Sequence, residues 1–279
     1  MSKLIFVIVL AAIIFAAYLY LVQRRMIYFP RRYPPDLISQ LSMSGKIVPL
    51  RYRTDEGQQV SFYIPPQNQG ENGGALWVLF SGNASMALNW LPFAADYADH
   101  SARFLLIDYP GYGVCEGEPS PAGIHASTEA ALGELAKHLG VDVTALEQNL
   151  GVVGHSLGAA TALLFAADHP LKQAVLVSPF TSMFDMACRR FRKPLCYLLR
   201  DRYDNRERIR ELRSRARPPR ITVVHGENDE VIPVLMSREL KVLFSEISYY
   251  EIQGGAHNTI IDSARAVIYG AMLKQPDGL

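Results

Sequence analysis

Residues 149–168 read NLGVVGHSLGAATALLFAAD, and this stretch constrains the fold of the chain more than any other. A short apolar run, Leu150 to Val153, ends in Gly154-His155-Ser156-Leu157-Gly158 and passes directly into Ala159–Ala167, a segment rich in helix formers. A strand that becomes a helix within five residues has to bend sharply, and Ser156 sits at the apex of the bend. Glycine two places before and two places after removes Cβ atoms that would collide with the neighbouring strand and helix. Such an elbow lifts a hydroxyl above the end of a sheet and aims the N–H groups of a helix N-terminus at any anion formed beside it.

The remainder of the chain repeats the same alternation. Its 279 residues, 49% of them hydrophobic, are enough for one large α/β domain. Lys46–Thr54 and Gln58–Ile64 flank Asp55-Glu56-Gly57 and predict a hairpin, and residues 70–74, GENGG, predict a loop. Further strands are expected at Ala75–Phe80, Arg103–Asp108, Ala174–Ser178, Ile221–His225 and Ile247–Ile252. Helices are expected up to about residue 99 and over about 121–139, 234–244 and 258–273. Continuous apolar strands separated by helices imply a mostly parallel central sheet with helices on both faces, with functional groups at the carboxyl ends of the strands.

A serine hydroxyl is a poor nucleophile at neutral pH. It needs a base, and the base needs a partner that fixes its tautomer and stabilises the imidazolium. Asp229 falls in the loop after the strand Ile221–His225, and His257 in the loop between the last strand and the final helix. The chain order Ser156, Asp229, His257 is one of the three known orders for this constellation. Glu227 and Glu230 are less well placed than Asp229. His155 and His225 each precede a turn and are expected to be structural, and Asp108 is expected to be a hydrogen-bonding residue at a strand end.

From about residue 46 to the C-terminus the sequence resembles the α/β-hydrolase superfamily. Within it, the chain is most similar to the membrane-anchored serine hydrolases of the bud-emergence-homologue group of abhydrolase-domain proteins. The matching stretches are an apolar N-terminal segment followed by Tyr28-Phe29-Pro30, the Gly82-Asn83-Ala84 loop, DYPGYG from Asp108, GEPS from Gly117, the elbow, HGENDEVIP from His225 and GGAHN from Gly254. Ser81 stands where the group commonly has histidine, and Cys115 where it commonly has serine. The resemblance implies an acyl-enzyme mechanism and an oxyanion hole made by the backbone N–H groups of Asn83 and Leu157.

Leu4–Val22 is 19 residues without a charge, long enough to cross a bilayer as a helix. The alternative, a cleaved secretory signal, is opposed by the length of the run and the lack of a small-x-small site before Gln23-Arg24-Arg25. Arg24, Arg25, Arg31 and Arg32 follow it and only Lys3 precedes it, so the positive-inside rule places the body on the cytoplasmic side. The expected organisation is an anchor at 1–22, a tether at 23–45 and a hydrolase domain at 46–279, with an insertion at 180–219 where this fold carries its lid. Phe180, Met183, Phe184, Met186, Phe191, Leu195, Tyr197, Leu198 and Leu199 in that insertion either line an apolar acyl pocket or pack the lid onto the body.

From Arg189 to Arg220 the insertion carries twelve arginines and Lys193 against four acidic residues, a local charge of +9 in a chain of net charge +1. Anionic lipid headgroups or a solvated helix face balanced by Glu207 and Glu211 both fit that charge. The overall balance excludes a nucleic-acid binder, and no metal cluster or phosphate-binding fingerprint occurs, so no cofactor is expected. Cys115, Cys188 and Cys196 are odd in number and lack CxxC spacing, so no disulfide is expected and reducing surroundings fit slightly better.

The expected activity is cleavage of a carboxylic ester or thioester in a small acyl ester, a lipid or an acylated protein. A serine peptidase, or an anchored scaffold that uses the Arg-rich insertion without catalysis, are the alternatives.

Overall fold

The computed structural model describes residues 2–43, 45–68, 74–191 and 193–273, so most of the expected 70–74 loop lies outside the described residues. Eight strands form one sheet: β1 (Val48–Thr54), β2 (Gly57–Ile64), β3 (Leu76–Phe80), β4 (Arg103–Ile107), β5 (Leu150–His155), β6 (Gln173–Val177), β7 (Arg220–Gly226) and β8 (Ser248–Ile252). Their spatial order is β1-β2-β4-β3-β5-β6-β7-β8. The β1–β2 and β2–β4 pairs are antiparallel, and every pair from β4 to β8 is parallel. The expected mostly parallel sheet is present.

Eleven helices accompany it among the described residues: α1 (Ser2–Ile27), α2 (Leu37–Met43), α3 (Leu91–Ala95), α4 (Pro121–Leu139), α5 (Val143–Glu147), α6 (Leu157–Ala166), α7 (Met183–Phe191), α8 (Asn205–Arg213), α9 (Val234–Leu243), α10 (Ile260–Ser263) and α11 (Arg265–Leu273). The two-residue side-chain period of a strand divides the core in two. Leu76, Val78 and Phe80 of β3 join one apolar layer with α4 and α6, while Trp77 and Leu79 join the other with α3 and α11. Helix α4 occupies the expected span because its signals agree: the Ser120 side chain accepts the Gly123 N–H, Pro121 opens the first turn, and Gly140 closes the last in the left-handed region.

The helix expected up to residue 99 is instead a 3₁₀ turn over Ala87–Trp90 followed by the short α3, which Pro92 opens. The expected helix over 258–273 is divided into α10 and α11. The larger difference is at the N-terminus. Helix α1 continues five residues past Val22, and the segment read as a tether is packed on the body. Tyr28 and Tyr33 are buried, the Phe29 N–H donates to the Asn83 carbonyl at 3.0 Å, and the Tyr33 hydroxyl donates to Asp108 Oδ2 at 2.6 Å. Pro30 follows the end of the helix, and the two tyrosines bury enough ring surface to fix the segment there.

The 180–219 insertion lies between β6 and β7 and contains α7, a 3₁₀ turn over Leu195–Leu198, and α8. Contrary to the expectation from cysteine spacing, Cys188 and Cys196 form a disulfide, because the chain folds back after α7 and brings their Cα atoms to 4.9 Å. Cys115 is free and buried. Much of the positive charge is neutralised locally: Arg206 pairs with Asp185 and Glu239, Arg208 with Glu211, Arg210 with Glu207, and Arg213 with Glu246.

Candidate active site

Strand β5 delivers Ser156 at the start of α6 with φ 57° and ψ −120°, a left-handed backbone that an L-residue holds only under constraint, at a cost of roughly 1–3 kcal/mol. The flanking glycines permit it. A Cβ on Gly154 would lie 2.2 Å from the Gly158 carbonyl oxygen, and one on Gly158 would lie 2.2 Å from that of Phe80 on β3. The elbow therefore rests against both its own helix and the adjacent strand. The Ser156 N–H donates to the Val177 carbonyl at 2.8 Å, which ties the apex to β6.

Three loops at the carboxyl ends of β5, β7 and β8 bring Ser156, Asp229 and His257 together. His257 Nε2 lies 3.0 Å from Ser156 Oγ, and His257 Nδ1 lies 2.7 Å from Asp229 Oδ2. Ser156 and His257 are each only 5% exposed. Burial alone would raise the Asp229 pKa, but hydrogen bonds from His225 and His257 and the Ile232 N–H hold it well below the usual carboxylate range. An ionised Asp229 can only accept, so Nδ1 of His257 carries the proton and Nε2 is free to accept the Ser156 O–H.

The structure gives Asp229 and His257 supports that sequence reading did not assign. Asp229 Oδ1 accepts the N–H groups of Val231 and Ile232 at 3.0 and 2.7 Å. His225, fully buried on β7, has Nε2 3.2 Å from Asp229 Oδ2 and 2.9 Å from the Ile232 carbonyl. Nε2 faces two acceptors and therefore carries the proton, which leaves Nδ1, 2.6 Å from the Ser237 hydroxyl, as the acceptor of the ring. His155 Nε2 donates to the His257 carbonyl at 3.1 Å, and the two rings are 4.9 Å apart. The His257 N–H donates to Glu230 at 3.2 Å. These histidines are structural, as expected, but what they position is the Asp229–His257 pair. In the sequence, His225 is marked by adjacency to the loop that carries Asp229, and His155 by adjacency to Ser156.

Burial and the neighbouring His257 lower the His155 pKa to about 3, so this ring is neutral in the folded protein. Its folded value lies below its unfolded one, so the unfolded chain binds the extra proton as pH falls from 6.5 towards 3, and stability is lost over that interval. The loss is roughly 4 kcal/mol for a shift of this size. His155→Gln, which retains an N–H donor, is expected to flatten the stability–pH curve by about that amount between pH 6.5 and 3 relative to the unaltered protein. Urea melts across that range check it. Asp108, raised to about 6 by burial, slopes the curve the opposite way in both proteins and cancels in the difference.

Asp108 takes no part in the Ser156 constellation. It accepts the Ala87 N–H at 2.8 Å and the Tyr33 hydroxyl at 2.6 Å, the strand-end role expected of it. Asn83 and Leu157 border the same cavity as Ser156. Leu157 is the first residue of α6, where a backbone N–H has no partner within the helix. Asn83 is fixed by its side-chain Nδ2–H, which donates to the Ile27 carbonyl at 3.0 Å, and by its carbonyl, which accepts the Tyr112 hydroxyl at 2.6 Å.

Above Ser156 opens a cavity of about 380 Å³ with predominantly apolar walls. Phe180, Met183, Met186, Phe191 and Leu199 of the insertion line it, whereas Phe184 and Tyr197 pack on one another as tilted rings with centroids 5.3 Å apart. Val231, Ile232, Phe29 and the end of α1 contribute further wall, and the insertion adds Ala187 and the charged Arg190.

A strained serine between β5 and α6, with a histidine–carboxylate pair from later loops of a parallel sheet, defines the hydrolases of the α/β class. The chain belongs to the alpha/beta hydrolase family, whose model matches residues 77–239. It is 32% identical over 238 residues to an uncharacterized protein of Mycobacterium tuberculosis, covering 85% of this chain and 80% of that one. Protein bem46 of Schizosaccharomyces pombe is 24% identical over 225 residues, 77% of this chain and 73% of the yeast one. Among solved structures, an esterase of Pyrococcus furiosus superposes with a TM-score of 0.63 at 14% identity, covering 89% of this chain and 98% of the esterase.

Proposed function

We propose that the protein is a serine hydrolase that cleaves a carboxylic ester or thioester through an acyl-enzyme, with Ser156 as nucleophile, His257 as general base and acid, and Asp229 as the residue that orients His257. The observation that carries this reading is the relay of short contacts, 3.0 Å from Ser156 Oγ to His257 Nε2 and 2.7 Å from Nδ1 to Asp229.

Ser156 Oγ attacks the acyl carbonyl carbon while its proton passes to His257 Nε2. The N–H groups of Leu157 and Asn83 receive the oxyanion, each contributing about 3 kcal/mol on the precedent of other oxyanion holes. The C–O or C–S bond breaks, and the leaving alcohol or thiol takes the proton from Nε2. Water then attacks the acyl-serine, gives its proton to Nε2, and the acid departs as the proton returns to Oγ. The apolar cavity receives the acyl chain, and the insertion that forms much of its wall acts as the lid.

Residues 4–22 serve as the membrane anchor, since α1 is long and apolar enough to span and its most apolar stretch is not buried against the rest of the protein. Together with the likeness to bem46, this supports placement in the anchored bud-emergence-homologue group. The arginines after the span favour a cytoplasmic catalytic domain, while the Cys188–Cys196 bridge is the observation that pulls towards the oxidising side.

A series of p-nitrophenyl esters and acyl thioesters tests the reaction class on the full-length protein in detergent or nanodiscs. Turnover is expected to rise with acyl length as the cavity fills. Absence of hydrolysis across the whole series contradicts the proposal.

A further inference from the structure

Two cavities meet at α1. The one over Ser156 includes Gln23, Met26 and Ile27 in its wall. A second, narrow one of about 40 Å³ runs between Leu19, Gln23 and Met26 on one side and Ala187, Phe191 and Leu195 of the insertion on the other. Gln23, Met26, Ala187, Phe191 and Leu199 border both, so the two lie side by side along α1 and share these side chains as walls. Positions 19, 23 and 26 follow the i, i+4, i+7 spacing of a single helix face. From Met26 back to Leu19 the helix rises about 10 Å, towards the apolar end of the span.

The depth of the second cavity follows from the residues around it. Arg24 and Arg25 mark where the span leaves the hydrocarbon, and Arg200 lies over the Tyr20 ring at 4.9 Å. Leu19 is more than one turn to the apolar side of Arg24 and one residue beyond Tyr20, so it lies at the edge of the hydrocarbon, where the headgroup region gives way to acyl chains. The pose of α1 is held by the body. Gln23 Nε2 donates to the Leu198 carbonyl at 3.2 Å, Gln23 Oε1 accepts the Arg200 N–H at 2.7 Å, and Arg24 pairs with the buried Asp201 at 3.1 Å. An anchor that served only to tether the protein would have no need of a buried glutamine and a half-buried ion pair joining its last turns to the insertion.

We propose that the last two turns of α1 are one wall of the acyl site, and that the substrate is a bilayer-resident long-chain acyl lipid whose chain enters laterally, along α1, so that its carbonyl comes to Ser156. This rests on the serine-hydrolase reading above. The apolar lining of the second cavity leaves the headgroup outside it.

The test uses the full-length protein in phosphatidylcholine nanodiscs and a hexadecyl fluorophosphonate with a diazirine near the end of its chain. After reaction with Ser156 and irradiation, cross-links are expected on the peptide carrying residues 19–27. Labelling of Ser156 with cross-links confined to other parts of the protein overturns the lateral entry along α1 while leaving the hydrolase reading intact. No labelling of serine at all overturns both. A second measurement uses the Leu19→Trp/Met26→Trp double variant, which should reduce the ratio of palmitoyl to butyryl ester hydrolysis by about tenfold. An unchanged ratio in the folded variant contradicts the proposal.

Discussion

Ser156→Ala is expected to lower kcat on an acyl ester by about 10⁶-fold, the scale seen when a triad serine is removed elsewhere. Alanine keeps a Cβ, so the left-handed elbow is no more strained than before, and the Oγ it deletes has His257 Nε2 as its partner. The fold should therefore persist while the chemistry stops. Circular dichroism melts paired with steady-state rates separate the two effects: a near-unchanged Tm with lost turnover is the expected pair.

The elbow was legible in the sequence because its requirements are local. Two glycines, a serine and a strand-to-helix change within ten residues leave few alternatives, and the contacts at Gly154 and Gly158 show the physical reason. Asp229 and His257 were legible as positions in loops at strand ends, since a parallel sheet sends those loops to one edge. What supports them was not. His155 and His225 act through contacts 102 and 4 residues away in the chain, to the His257 carbonyl and to Asp229, and nothing in composition or spacing fixes those distances. The docking of residues 23–43 and the Cys188–Cys196 pair were hidden for a related reason. Proline-rich composition and an odd cysteine count report local preference, whereas the body, through Asp108, Asn83 and the fold-back after α7, determines where those residues settle.

Asp229→Asn should lower kcat by about 10⁴-fold with little change in geometry. The Val231 and Ile232 N–H groups bind Oδ1 and would fix the amide oxygen there, which turns the NH₂ towards His257 and His225. Both histidines donate to that site at present. Facing a donor, His257 keeps its proton on Nε2 instead, and a protonated Nε2 cannot accept from Ser156. The buried His225 N–H keeps the Ile232 carbonyl as an acceptor but loses its bond to the charged carboxylate, which adds a stability loss of about 1–3 kcal/mol. Turnover and urea denaturation of the same preparation measure both quantities.

The account as a whole depends on an activated hydroxyl at one residue. The most direct measurement is reaction of the full-length protein in nanodiscs with a fluorophosphonate, followed by peptide mapping of the adduct. The account predicts a single phosphonyl group on Ser156, formed in the unaltered protein and lost in both Ser156→Ala and His257→Ala. A folded protein that takes up no label, or carries it on another residue, would contradict it.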